Sequence, residues 1–433
     1  MPLTAQERQL PFTPKNHDLD GTHNFSADDR FLVYDTRGFA GPGIDNSQSI
    51  EKVAVATGKE MVLYRPKEIL TGPEGMAAPG VGAPYYSVAD DVVAFIHGPM
   101  VEDVAERGYY GKNNRNGMEV RADGSGAWRW LDGRDVSVGE TTPGAHRGGT
   151  HDHEYTTEGS RIGITYDDFL LPEYDRTIGY LERHDKAPGE ASHYFALLVP
   201  VVKKGTSKAC EIERAWGDNW VDEKGTMRAF IGKVRTADGV AYEQSLFVVD
   251  VPETVDITTA DSGSGARFPG PPEGTTIRRL TKGFADGIVR CHEPTKRIAY
   301  YGGEVDGLRQ IFVVAAFGGE ANRDPAMRPV QVTNFPNGVT GGLRWAPDGT
   351  AIACIVDNGV AVVSLVENDG DFGKVAFLTP RSDAPERLNL VWSHDGKFLA
   401  FNKRVETKGE AGDVVKSFEG QDLLQVFLVD GQR

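Results

Sequence analysis

Seven stretches of the chain share one plan of polar and apolar positions: FSADDRFLVY, YSVADDVVAF, YTTEGSRIGI, WVDEKGTMRAF, HEPTKRIAYY, WAPDGTAIAC and WSHDGKFLAF. They start at Phe25, Tyr86, Tyr155, Trp220, His292, Trp345 and Trp392. Each opens on an aromatic or imidazole ring, passes through a short polar turn rich in Asp, Glu and Gly, and ends in a strand-like apolar run. The starts lie roughly 45 to 70 residues apart, the spacing of propeller blades. Further apolar runs supply third and fourth strands, as in SLFVVDV with IRRLTKGF, QIFVVAA with RPVQVTNF, and VAVVSLV with VAFLTP. The last copy stops at a third strand, LLQVFLVD, and RQLPFTP near the N-terminus matches its missing fourth. The pattern therefore predicts an all-β chain: a seven-bladed β-propeller over 1–433 with no separate second domain. Residues 5–14 are expected to pair with 422–430 and close the ring. The inserts near 101–118, 168–192 and 252–275 read as loops.

Composition narrows the function. Hydrophobic residues make up 39% and charged residues 25% of the 433 positions, enough for a packed core. A formal charge of -16 argues against a broad nucleic-acid surface, which draws on clustered Lys and Arg; an anionic ligand would need a local basic pocket. Cys210, Cys291 and Cys354 form neither a disulfide framework nor a CxxC metal site. No apolar run is long enough to span a membrane, and the opening MPLTAQERQLPF lacks the apolar core of a secretory signal. A cleaved signal would leave the same sequence, so the compartment stays open.

The stretch HRGGTHDHEY, residues 146–155, holds three of the ten histidines. In an extended strand His151 and His153 would project from one side. The repeat supplies an internal alignment for them. His153 stands two positions before its ring, where the other blades carry His23, Pro84, Asp218, Arg290, Leu343 and Leu390. His151, two further back, corresponds to Gly21, Gly82, Trp216, Ile288, Gly341 and Leu388, so an ionisable side chain there is peculiar to this blade. Beyond the second strand, Arg37, Asp167, Lys233, Asp357 and Arg404 share a register, with His97 one position earlier. In a propeller those loops lie on the face where the first strands begin. His97, Arg147, His151, Arg37 and Arg214 are thus expected to converge on one central mouth.

No GxSxG, GxxxxGK[ST] or HExxH stretch is present, which disfavours those hydrolase and nucleotide-binding chemistries. Arginine, histidine and tyrosine together suffice for β-elimination from a uronic acid. Arginine neutralises the carboxylate so that the neighbouring C5 proton becomes acidic, a base removes that proton, and an acid protonates the departing glycosidic oxygen. A polar propeller mouth of this kind also suits noncatalytic binding of a protein or a glycan.

The segments FIHGP, HRGGTHDHEY, EIERAWGDNWV and RCHEPTKRIAY resemble a family of TolB-like seven-bladed propellers that includes L-rhamnose-α-1,4-D-glucuronate lyases. The resemblance runs over most of the chain, and RGG[ST]HxH is its most specific part. It implies release of terminal rhamnose from the arabinogalactan side chains of gum arabic, leaving an unsaturated glucuronate. A more distant likeness is to oligogalacturonate lyases, where an HxH pair helps hold a divalent metal. His151 and His153 match that pair, but Gly148 stands where that family has a glutamine ligand. The cofactor expected on this likeness is Mn or Ca, with imidazole ligands favouring Mn or Zn over Ca; arginine could replace it.

On this reading Arg147 and Arg214 hold the carboxylate and His97 or His151 takes the proton. His153 orients its neighbour or binds metal, and Tyr155 is the weaker acid candidate. Arg37, His153, Trp216 and Arg290 would contact substrate. The plainer roles are a salt bridge and a packed ring for Arg214 and Trp216, and a strand-end hydrogen bond for His97. The expected partner is an acidic oligosaccharide or polysaccharide, with no nucleic acid, no membrane and a monomeric state; such a substrate would suit a secreted protein.

Overall fold

A computed structural model of the chain describes residues 6–41, 43–305, 307–367 and 370–431. The strands form seven antiparallel blades arranged as a β-propeller. Blade 3 consists of Gly148–Tyr155, Arg161–Asp168, Thr177–Arg183 and His193–Leu197. Blade 4 consists of Ile212–Trp220, Met227–Arg235, Tyr242–Asp250 and Thr276–Arg279, and blade 5 runs from Ala285 through Gln331 in the same order. In blade 1 the first strand is reduced to two bridges, Asp18 with Asp35 and Phe25 with Leu32.

The repeated hairpin has a local cause. In four blades the turn after the ring takes a left-handed residue, and Gly159, Gly225, Gly349 and Gly396 supply it with φ between 69° and 73°, a conformation that costs glycine nothing. The ring itself is the anchor: Phe25, Tyr86, Tyr155, Trp220, His292, Trp345 and Trp392 are each 9% exposed or less. Burying one such aromatic contributes ~1.5–3 kcal/mol.

The chain packs as two compact units, 1–114 with 119–128 and 335–433, and 115–118 with 129–334. In the first, Leu10, Phe25, Tyr34, Val53 and Leu428 share one core and Trp392, Phe401 and Phe427 another. In the second, Tyr180, Trp220, Phe230 and Phe247 pack between blades 3 and 4, and Ile231, Leu246, Val289 and Tyr300 between blades 4 and 5.

Two of the three inserts contain regular structure. Residues 177–183, expected as loop, are the third strand of blade 3, with Thr177 to Leu181 buried. Between 101 and 118 lie a short turn, Val101–Asp103, a one-turn helix, Val104–Arg107, and the start of the strand Asn116–Arg121. Residues 252–275 are irregular apart from Ile257–Thr259. The closing strand is shorter than expected: Arg8–Gln9 pairs with Leu423–Asp430, and residue 5 lies outside the described residues.

Candidate functional site

His97 ends the second strand of blade 2 and is fully buried. Its Nδ1 lies 2.6 Å from the Gly98 carbonyl, which can only accept, so Nδ1 carries the proton and Nε2 accepts from the Tyr64 hydroxyl at 2.9 Å. Burial lowers its pKa to about 4, leaving a neutral imidazole at neutral pH. Arg37, in the same unit, places Nη2 2.5 Å from Asp35 and Nη1 2.5 Å from Asp20, with Asp18 at 3.8 Å from Nε. Burial pushes the Asp18 carboxyl up to about 7 despite that arginine.

The other sequence-derived candidates lie in the second unit. Arg147 is buried, with Nη2 on Asp168 and Nη1 on the carbonyls of Ser264 and Arg267. It thereby ties the irregular segment 252–275 to blade 3. Tyr155 occupies its ring position in the core, and Arg290 is buried with Nη1 3.3 Å from the Val289 carbonyl.

The strand that carries His151 and His153 is not straight. Its register shifts between His151 and Glu154, and Asp152 takes a φ of 62°. Such a bulge breaks the alternation that would hold both imidazoles on one face. His151 is partly exposed, whereas His153 is fully buried, with Nε2 3.1 Å from Thr150 Oγ1 and 3.8 Å from Asp132 Oδ2. A Cβ at Gly117 would stand 2.5 Å from that Nε2, so glycine there makes room for the ring. The pair therefore does not fit a shared metal ion, and among the described residues no group of three His, Cys, Asp or Glu side chains is disposed to hold one.

Arg214 and Trp216 alternate with the buried Glu213 and Ala215 and share the partly exposed face of the first strand of blade 4. The Arg214 guanidinium lies 5.0 Å from the Trp216 ring centre, a cation–π arrangement. Among the described residues it has no ion-pair or hydrogen-bond partner. Across the ladder stands a second cation, Lys233, with Nζ 3.7 Å from Glu213 and 4.0 Å from the Tyr242 ring centre. Just beyond Trp216 the first strands of blades 4 and 5 nearly touch, since a Cβ at Gly217 would lie 2.2 Å from the Gly287 carbonyl oxygen. Exposed Ile288 follows.

Two buried polar clusters in this unit were not singled out from the sequence. Asp132 accepts from the Gly117 amide at 3.0 Å, Asn116 Nδ2 at 2.8 Å and Thr150 Oγ1 at 2.5 Å, and lies 3.5 Å from His146. Although burial opposes it, His146 and the hydrogen bonds hold its carboxyl well below the usual range. In the second cluster Arg228 places Nε 2.5 Å from Asp218 and Nη1 2.9 Å from Glu154, with its guanidinium 4.6 Å from the Trp220 ring centre. A Cβ at Gly163 would stand 1.8 Å from that guanidinium. The readable signal was Arg228 itself, a cation in a register where five of the other six blades are apolar.

Residues 80–187 match a family described as a protein of unknown function, DUF3748. The chain is 27% identical to the uncharacterized protein YidR of Escherichia coli K12, over 92% of this chain and 96% of that one. Among solved structures it is similar to an oligogalacturonate lyase from Vibrio parahaemolyticus, at 10% identity and a TM-score of 0.40, over 99% of this chain and 97% of that one. It is also similar to TolB from Acinetobacter baumannii, at 10% identity and a TM-score of 0.40 over 83% of this chain, spanning 65% of the TolB chain. Likenesses at this level concern the fold alone.

Proposed function

We propose that the protein is a carbohydrate lyase acting on a uronate, releasing terminal rhamnose from a rhamnose-capped glucuronate glycan. The observation that carries this reading is Arg214. Arg37 and Arg147 are committed to carboxylates of the chain, whereas Arg214 presents a planar cation, backed by Trp216, to the partly exposed face of an innermost strand. Such a fork suits a carboxylate, and an indole suits the apolar face of a sugar ring.

With the carboxylate held by Arg214, electron density left at C5 on loss of its proton is delocalised into a neutralised carboxylate. His151, the partly exposed imidazole of the same unit, takes the C5 proton. The C4–O bond then breaks as C4=C5 forms, and the departing oxygen takes the proton from the His151 imidazolium, which gives free rhamnose and restores the base.

Incubation with a rhamnose-capped glucuronate glycan is expected to yield rhamnose and an ultraviolet-absorbing unsaturated uronate in equal amounts. Arg214→Ala should lower the rate about a hundredfold or more, the scale on which a single transition-state charge partner acts. Rhamnose without the chromophore would reject elimination. Oligogalacturonate cleaved in preference would replace the substrate and keep the reaction. Saturable binding without turnover would leave a noncatalytic glycan receptor.

A further inference from the structure

Blade 5 holds a cavity of about 500 Å³ that the reading above does not use, within the ~300–1,000 Å³ of small-molecule sites. Its floor is aromatic. Tyr300 and Phe312 face each other across the ladder with ring centres 5.9 Å apart. Gly302 and Gly303 keep this floor bare: a Cβ at Gly302 would lie 3.1 Å from the Phe312 ring, and one at Gly303 2.9 Å from it. Gly303 also has a φ of 61°, so a side chain there would be strained as well as obstructive.

The polar groups have a definite pattern. Tyr300 is 3% exposed, and among the described residues its hydroxyl has no hydrogen-bond partner although it lines the cavity. Exposed Lys282 and Arg328 bring two cations to the rim. Arg328 spends only Nε, on the Asn322 carbonyl at 2.8 Å, and neither cation is ion-paired among the described residues. Glu320 accepts from the Lys282 amide at 2.9 Å, so its carboxylate is fixed at the same rim.

We propose that this cavity binds a monosaccharide acid, with the pyranose face on Phe312 and the glycine strip. Lys282 and Arg328 take the carboxylate, and Tyr300 and Glu320 take ring hydroxyls. An aromatic carboxylate would satisfy the floor and the cations but leave the phenol and Glu320 without donors or acceptors to meet, a mismatch that polar sites penalise. The site lies apart from Arg214 and does not depend on turnover.

The test is equilibrium dialysis of labelled glucuronate against the full chain carrying Arg214→Ala, so that the proposed catalytic site is disabled and its failure is read separately. Saturable uptake at one site is expected, at least tenfold weaker for glucose and for benzoate. Lys282→Ala with Arg328→Ala, and separately Phe312→Leu, should each weaken uptake at least tenfold. Both cations are exposed, so their removal should leave melting unchanged. No saturable uptake, uptake indifferent to the two cations, or benzoate bound as well as glucuronate would each overturn the assignment.

Discussion

Arg228 sits opposite Trp220 in a ladder position where the other blades place Leu32, Val93, Ile162, Ile352 and Leu399, and Arg297 in blade 5. One guanidinium there meets two buried carboxylates, and it does not neutralise both. Burial pushes Glu154 up to about 7 from an ordinary 4.5, against the pull of Arg228. The folded state thus holds this proton more tightly than the unfolded chain does. Its contribution is fully present below pH ~4.5 and is lost as pH rises towards 7, by about 3 kcal/mol for a shift of this size. Glu154→Gln, which keeps the shape of the neutral acid, should flatten part of the fall in stability between pH 5 and pH 8. Glu293 and Asp18, also raised to about 7 by burial, keep the remainder. Denaturant unfolding of both chains at a series of pH values decides it; parallel curves would show that Glu154 is ionised throughout.

At the scale of elements, the hairpins were legible because every blade repeats them: a ring to bury, a short polar turn and a return strand. The identity of polar partners was not. Arg37, Arg147 and Arg214 look alike along the chain, yet Asp35 and Asp168 wait at the ends of neighbouring strands for the first two, while the salt bridge considered for Arg214 has no counterpart among the described residues. The bulge at Asp152 was also hidden, since an aspartate gives no sign of the positive φ that a glycine would have suggested. Asp132 escaped notice because its partners come from strands on either side of it in sequence, Asn116 and Gly117 before and Thr150 after. It joins the loop to both. Asp132→Ala would strand several buried donors together and should cost about 3 kcal/mol or more, whereas Asp132→Asn, which keeps one acceptor, should cost less. Equal losses in thermal or denaturant unfolding would mean that the carboxylate is not the organising group.

At the scale of the whole molecule, a ring of blades has one seam, and here the first and last parts of the sequence are sewn together. Arg8 and Gln9 pair with Leu428 and Phe427, and the Leu10 amide donates to the Val426 carbonyl at 2.8 Å. The pairing is short, so side chains carry much of it. Glu7 bonds Arg387 at 2.5 Å and also Lys403, both on last-blade strands, and these partly buried pairs pull its pKa down against the cost of burial. Beyond them the His17 amide donates to the Leu424 carbonyl, and Asn402 accepts from the Leu19 amide, each at 2.9 Å. Removal of residues through Thr13 deletes the strand and Glu7 together. It uncovers the edge at 423–430 and leaves Arg387 and Lys403 without that carboxylate, so the melting temperature should fall by several degrees. Glu7→Ala alone leaves the backbone pairing intact and should give a smaller fall. A truncated chain that melts where the full chain does would show that the ring is held elsewhere and that the N-terminal strand is only an accessory to it.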